Sequence, residues 1–275
     1  IEKNICLVTE GICALMREEG KTDKPIILGY DHRFLSDVAA KWMAEVFAAY
    51  GVTVWFMNRS APTPLVMHTV KRQGLHYGVE ITASHNPAIY NGIKVFTAGG
   101  RDADQTVTKK IEAEIEKLTA EDVKSIPYGE ALKAGIIREG YPFNEYIDSI
   151  LSLVDVEKIK ESRLRIAIDP MYGVSQSSLR TILLTCRCDV DVIHENHDTL
   201  FGGRMPAPDA ELQCLFLQFF GNFRHPDERI EKQRRDAEQL LMLRNSLKCR
   251  NRNEDQDFYF GHCSSCCIGF MQVAV

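Results

Sequence analysis

The sequence predicts an α/β protein built from one full α/β unit followed by a shorter second one. Three observations carry this. Short apolar runs rich in Ile and Val alternate with segments of helical period, the order is strand, helix, strand, helix, strand, and the same alternation restarts near residue 155.

Pro25-Ile26-Ile27-Leu28-Gly29-Tyr30 reads as a buried strand entering a loop. Ser36 stands where a helix cap is expected, and Asp37 to Tyr50 has helical period, with Val38, Met43, Val46 and Phe47 on one face and Gly51 closing it. Val52 to Met57 resumes as a strand, Pro62-Thr63-Pro64 opens a second helix, and Tyr77 to Ile81 is a strand that delivers the chain to Thr82. After a turn at Asn91-Gly92, Ile93 to Phe96 forms a further strand ended by Gly99-Gly100. Val107, Ile111, Ile115 and Leu118 share a helical face, and Phe143 to Val154 is another helix. The second unit then opens with the strand Leu164 to Ile168, the helix Ser177 to Leu184 and the strand Asp189 to Ile193.

Composition excludes several classes of function. The chain has 275 residues and is 45% hydrophobic, with a formal net charge of -5 and basic residues spread along it, so no general attraction to nucleic acid or to a membrane surface is implied. No apolar run approaches the roughly 20 residues of a membrane span, and no signal segment opens the chain, so a cytoplasmic setting is expected. An anionic small molecule would need a local positive pocket.

Polar chemistry concentrates in Thr82-Ala83-Ser84-His85-Asn86-Pro87, at a strand end where α/β proteins place functional groups. Pro87 fixes its own φ and biases Asn86 away from the helical region, which restricts the loop. His85 can exchange a proton, Asn86 can brace the loop, and Lys94 can supply positive charge to a phosphate. These residue types alone are equally compatible with a polar turn. Gly29-Tyr30-Asp31-His32-Arg33 lies at the end of the first strand, and Arg33 is either a cation for a phosphate or a surface arginine paired with Asp31 or Asp37.

The hexapeptide with Asn91-Gly92-Ile93-Lys94 resembles the active-site signature of the α-D-phosphohexomutases, the phosphoglucomutase and phosphomannomutase family. The Gly29 to Arg33 segment, Asp169-Pro170-Met171-Tyr172-Gly173-Val174 and Phe201-Gly202-Gly203-Arg204-Met205-Pro206-Ala207-Pro208 are similar to further segments of that family. The resemblance implies a first domain with a mixed sheet flanked by helices, over residues 1–155, and a partial second α/β domain over 156–212. It implies that Ser84 carries a phosphate, passes it to a hexose monophosphate and recovers the other phosphate from the bisphosphate. His85 and Lys94 then assist proton transfer, Arg33 and Asn86 face the phosphate, and Ser84 holds Mg2+ through its phosphate, with glucose 1,6-bisphosphate as activator. The implied partner is a hexose phosphate, with no particular sugar or oligomeric state specified.

From about Gln213 the resemblance stops, and the family's Asp-Gly-Asp-x-Asp-Arg metal loop has no counterpart in the sequence. Residues 213–275 therefore read as a divergent tail. Cys249, His262, Cys263 and Cys266 are zinc-type ligands, but a second properly spaced cysteine pair is absent. Ile1 in place of Met leaves room for an upstream segment. The alternative expectation is a non-catalytic remnant that serves as a binding or assembly module.

Overall fold

The computed structural model describes residues 1–207, apart from 120 and 122. The tail, with its cysteines and His262, lies outside the described residues.

Strand β1 (Ile26–Tyr30) runs through the middle of a six-stranded sheet. Beside it lie β2 (Val54–Met57) and β3 (Tyr77–Ile81), both parallel to it. Beyond β3 come β4 (Ile93–Thr97) and β5 (Arg101–Asp102), each antiparallel to its neighbour, and β6 (Ile137–Gly140) joins β2 in parallel at the other edge. The sheet is mixed and lies between two helical layers.

Alternation along each strand sorts side chains between the two layers. Ile26, Leu28, Val54, Phe56, Tyr77, Val79 and Ile81 meet α1 (Glu2–Glu18) and α2 (Ser36–Ala49), with α4 (Gln105–Ile115) and α5 (Tyr128–Lys133) extending that layer. Ile27, Met57 and Phe96 face the opposite layer, where α3 (Thr63–Arg72) brings Leu65, Val66 and Val70 and α6 (Phe143–Leu151) adds Phe143 and Tyr146. Helix α3 lies close because Gly29 and Gly78 have no side chains. A Cβ at either would come within 2.5 Å of a Val66 or Val70 methyl. Each fully buried large apolar side chain here contributes about 1.5–3 kcal/mol.

Helix α2 begins at Ser36, the residue expected to cap it, and has no side-chain cap. Leu35 occupies the cap position at φ 62°, and the Ser36 hydroxyl donates to Asp31 at 2.8 Å instead. The helix expected over 143–154 is α6, which ends earlier, at Leu151, and a separate helix α7 (Val156–Ser162) follows it, capped by Asp155. Strands β7 (Arg165–Ile168) and β8 (Asp189–Val192) pair in parallel around α8 (Gln176–Thr185), and among the described residues they form a two-stranded sheet with its own small core.

The two sheets meet near the carboxyl end of β1. His32 Nδ1 lies 2.9 Å from the Tyr172 carbonyl, His197 Nε2 lies 3.1 Å from the His32 carbonyl, and the two imidazoles stack at 4.3 Å. No helix among the described residues is long and apolar enough to cross a membrane.

Candidate active site

Because β1 and β3 are parallel neighbours in register, Tyr30 beside Ile81, the segments that leave their carboxyl ends lie side by side. The first is Asp31 to Leu35 and the second is Thr82 to Gly92. Asp31 N donates to the Ile81 carbonyl at 3.1 Å and ties the two together.

Asp31 organises the junction. Its Oδ1 accepts from Arg33 N (2.9 Å) and Ser36 Oγ (2.8 Å), and its Oδ2 accepts from Arg33 Nε (3.2 Å) and Thr82 Oγ1 (2.7 Å). The Thr82 hydroxyl in turn accepts from Ser84 N at 3.1 Å.

Arg33 differs from the expectation of a phosphate-facing cation. It is 3% exposed, and its guanidinium points under the loop. Nη2 donates to the carbonyls of Ser84 and Asn86, both at 2.8 Å, and Nη1 donates to those of Pro87 (2.9 Å) and Tyr90 (3.0 Å). With Nε on Asp31, the five N–H groups of the fork are engaged and none is left for a phosphate. Phe201, from the second unit, places its ring centroid 5.1 Å from this guanidinium. Nor is Arg33 the surface arginine of the other reading: the pair with Asp31 is present, but it is buried.

Held this way, the loop lifts Ser84 into the left-handed region at φ 58°. For a residue with a side chain that conformation costs roughly 1–2 kcal/mol, and such strain concentrates at functional positions. Ser84 is half-buried and its Oγ lies 3.2 Å from Nδ1 of the exposed His85. That imidazole can take the hydroxyl proton as the oxygen becomes a nucleophile.

Asn86 braces the loop through its backbone, accepting from Arg33 and donating to the Ala83 carbonyl at 3.0 Å, while its residue is exposed. Lys94 is half-buried on β4, directly opposite Glu80 of β3. The structure thus brings Arg33, Ser84, His85 and Asn86 together and sets Lys94 on the strand by which the loop returns.

No cluster of three or more His, Cys, Asp or Glu among the described residues is placed to hold a metal ion. Both Asp31 oxygens are taken up within the loop network. The described residues therefore do not fit the magnesium site implied for Ser84. Asp169, for its part, accepts from Met171 N and lies 3.0 Å from His194, a turn-forming role.

Family models match both parts of the chain. Phosphoglucomutase/phosphomannomutase α/β/α domain I matches residues 2–122 and domain II of the same family matches 144–233. The chain belongs to the phosphoglucomutase/phosphomannomutase family. A phosphoglucosamine/phosphogalactosamine mutase of Sulfurisphaera tokodaii is 36% identical over 189 residues, covering 69% of this chain and 40% of that protein. A phosphoglucomutase of Komagataeibacter xylinus is 30% identical over 211 residues, 73% of this chain and 38% of that one. This member of the family thus spans about two fifths of the length of these curated relatives. Its fold is similar to the crystal structure of a Thermus thermophilus protein described as a phosphomannomutase, with a TM-score of 0.71 at 24% identity over 81% of this chain and 48% of the other.

Sequence reasoning gave Thr82 no role in this site and considered Asp31 only as a candidate partner of Arg33. Both lie inside the sequence motifs, and a Thr two residues before a loop Ser is the available signal, because its hydroxyl can turn back on the Ser amide.

Proposed function

We propose that this chain carries the phosphoryl-transfer serine of an α-D-phosphohexomutase that interconverts hexose 1-phosphates and hexose 6-phosphates. The observation that supports it best is the Ser84 loop, preformed at φ 58° on the Arg33 fork with His85 Nδ1 3.2 Å from the nucleophile.

In the charging direction, Ser84 Oγ attacks phosphorus of a hexose bisphosphate. The hydroxyl proton passes to His85, the phosphorus–oxygen bond to the sugar breaks, and the sugar oxygen leaves to take up a proton. In the reverse direction phosphoserine gives its phosphoryl group to the free hydroxyl of a hexose monophosphate. Lys94 is the cation we assign to the developing charge. The named relatives are mutases, which supports this reading over that of a non-catalytic remnant. Glucose 1,6-bisphosphate belongs to the proposal as the phosphoryl donor, and magnesium as an ion for which the described residues supply no ligand set. The proposed setting is the cytoplasm, in keeping with the thiols of Cys6, Cys13, Cys186 and Cys188, which form no disulfide among the described residues.

The donor half of the cycle gives the test. The chain is phosphorylated, freed of small molecules and mixed with glucose 1-phosphate or mannose 1-phosphate. Loss of phosphate from Ser84 with stoichiometric appearance of the 1,6-bisphosphate is expected, and the sugar that discharges faster is the preferred one. Release of inorganic phosphate alone, with no bisphosphate, would make the serine a hydrolytic site and overturn the mutase reading.

A further inference from the structure

Glu80, one residue before the carboxyl end of β3, is accounted for neither by packing nor by the hydrogen bonding of the loop. It is 0% exposed, and among the described residues neither Oε1 nor Oε2 has a hydrogen-bonding partner. A carboxyl buried this way is costly, and far more so when charged.

Alternation puts Glu80 on the α3 side of the sheet, where a side chain at Gly29 would lie 3.8 Å from its Cγ. Thr63, at the start of α3, faces it with a hydroxyl that likewise lacks a partner within hydrogen-bond geometry among the described residues. The charged groups that face the carboxyl are Asp31 beyond β1, Asp102 on β5 and Lys94 on β4. Lys94 is its register partner, and directly opposed side chains on one face of an antiparallel pair have Cβ atoms about 4.5–5.5 Å apart. Lys94 also stands two residues beyond Gly92, whose carbonyl accepts from Thr82 N at 2.9 Å at the root of the Ser84 loop.

We propose that Glu80 is a positioning residue for phosphoryl transfer at Ser84, acting through Lys94: ionised, its carboxylate draws the lysine ammonium down onto the sheet, and protonated, it leaves the ammonium to the phosphate. The inference rests on the mutase reading given above. Burial pushes this carboxyl up to about 8, with Asp31 and Asp102 adding to the rise and Thr63 and Lys94 opposing it. The exchange therefore falls in the range where an enzyme works, and the proton released goes to solvent.

Phosphate uptake by Ser84 from glucose 1,6-bisphosphate, followed by intact mass on the full chain, tests this in the wild type, Glu80→Gln and Glu80→Asp. In the wild type the uptake rate is expected to fall about tenfold between about pH 7 and about pH 9. Glu80→Gln, which cannot ionise, should hold its rate within about twofold over that range, and Glu80→Asp should restore the fall. A Glu80→Gln profile that falls as the wild type does overturns the proposal.

A second readout keeps the inference distinct from the reading on which it rests. The Glu80 side-chain carboxyl resonance is titrated by NMR in the wild type and in Lys94→Met. Removing the cation should move the midpoint up by about one pH unit, whereas an unmoved midpoint shows that the two side chains are not coupled and overturns the proposal. If the wild type takes up no phosphate at any pH, the mutase reading fails while this titration still decides whether Glu80 and Lys94 form a pair.

Discussion

Two carboxylates belong to the neighbouring strands that lead into this site, Asp31 just past the end of β1 and Glu80 within β3, and their surroundings are opposite. Around Asp31 every oxygen is engaged, by two groups of Arg33, by Ser36 and by Thr82. Around Glu80 no donor among the described residues makes a hydrogen bond to the carboxyl, and Lys94 is the cation opposite it across the sheet. The first region is a satisfied network of the kind that fixes one geometry. The second retains a charge that can change. The difference separates what shapes the loop from what can respond beneath it.

The largest effect should come from breaking the satisfied side. Arg33→Ala leaves the carbonyls of Ser84, Asn86, Pro87 and Tyr90 without their donor and Asp31 without its counter-ion. Urea denaturation should report a loss of about 3–5 kcal/mol, as for other broken buried pairs. Arg33→Lys should recover little of it, because an ammonium has three donors and no planar fork. A loss below about 1 kcal/mol would mean that the loop holds its shape without the arginine.

On the unsatisfied side the effect is expected to have the opposite sign at high pH. The folded chain keeps the Glu80 proton up to about 8, while an unfolded glutamate releases it near its ordinary value of 4.5. Between those two values the folded state binds more protons than the unfolded state, so this group makes stability fall as pH rises through that window and leaves it level outside. Glu80→Gln should remove that slope and be the more stable chain at about pH 8.5. Denaturation midpoints measured across the window check this, and parallel pH profiles for the two proteins would contradict it.

The smallest change concerns the strain at Ser84 itself. At φ 58° glycine is at ease and alanine is not, so Ser84→Gly should be about 1 kcal/mol more stable than Ser84→Ala, both being inert in phosphate uptake. Equal stability of the two variants would show that the left-handed turn relaxes once the hydroxyl is gone.

Much of this architecture is written in local pattern. The strands β1, β3 and β4 and the helix α2 follow from apolar runs and period, and the Ser84 loop follows from its motif. Helix α1 is harder to read, because its buried stripe includes Thr9, Glu10 and Gly11 among apolar residues, and their burial depends on partners that sequence does not display. Strand β6 has one buried apolar residue, Ile137, and exists by pairing with β2. Arg33 shows the limit most clearly. A motif arginine beside a phosphate loop suggests a cation for the phosphate, yet its acceptors are backbone carbonyls, which every residue possesses and no side-chain pattern marks. Glu80 sits in plain view in Val79-Glu80-Ile81, but its lack of a partner is a property of three dimensions.

Everything proposed for this loop turns on whether Ser84 accepts a phosphate. Intact-mass analysis of the 275-residue chain before and after incubation with glucose 1,6-bisphosphate and magnesium, with peptide mapping across Thr82 to Pro87, decides it. A gain of one phosphoryl group is expected, located on Ser84 and absent in Ser84→Ala. A folded chain that gains none, or that gains it on another residue, would contradict the central claim.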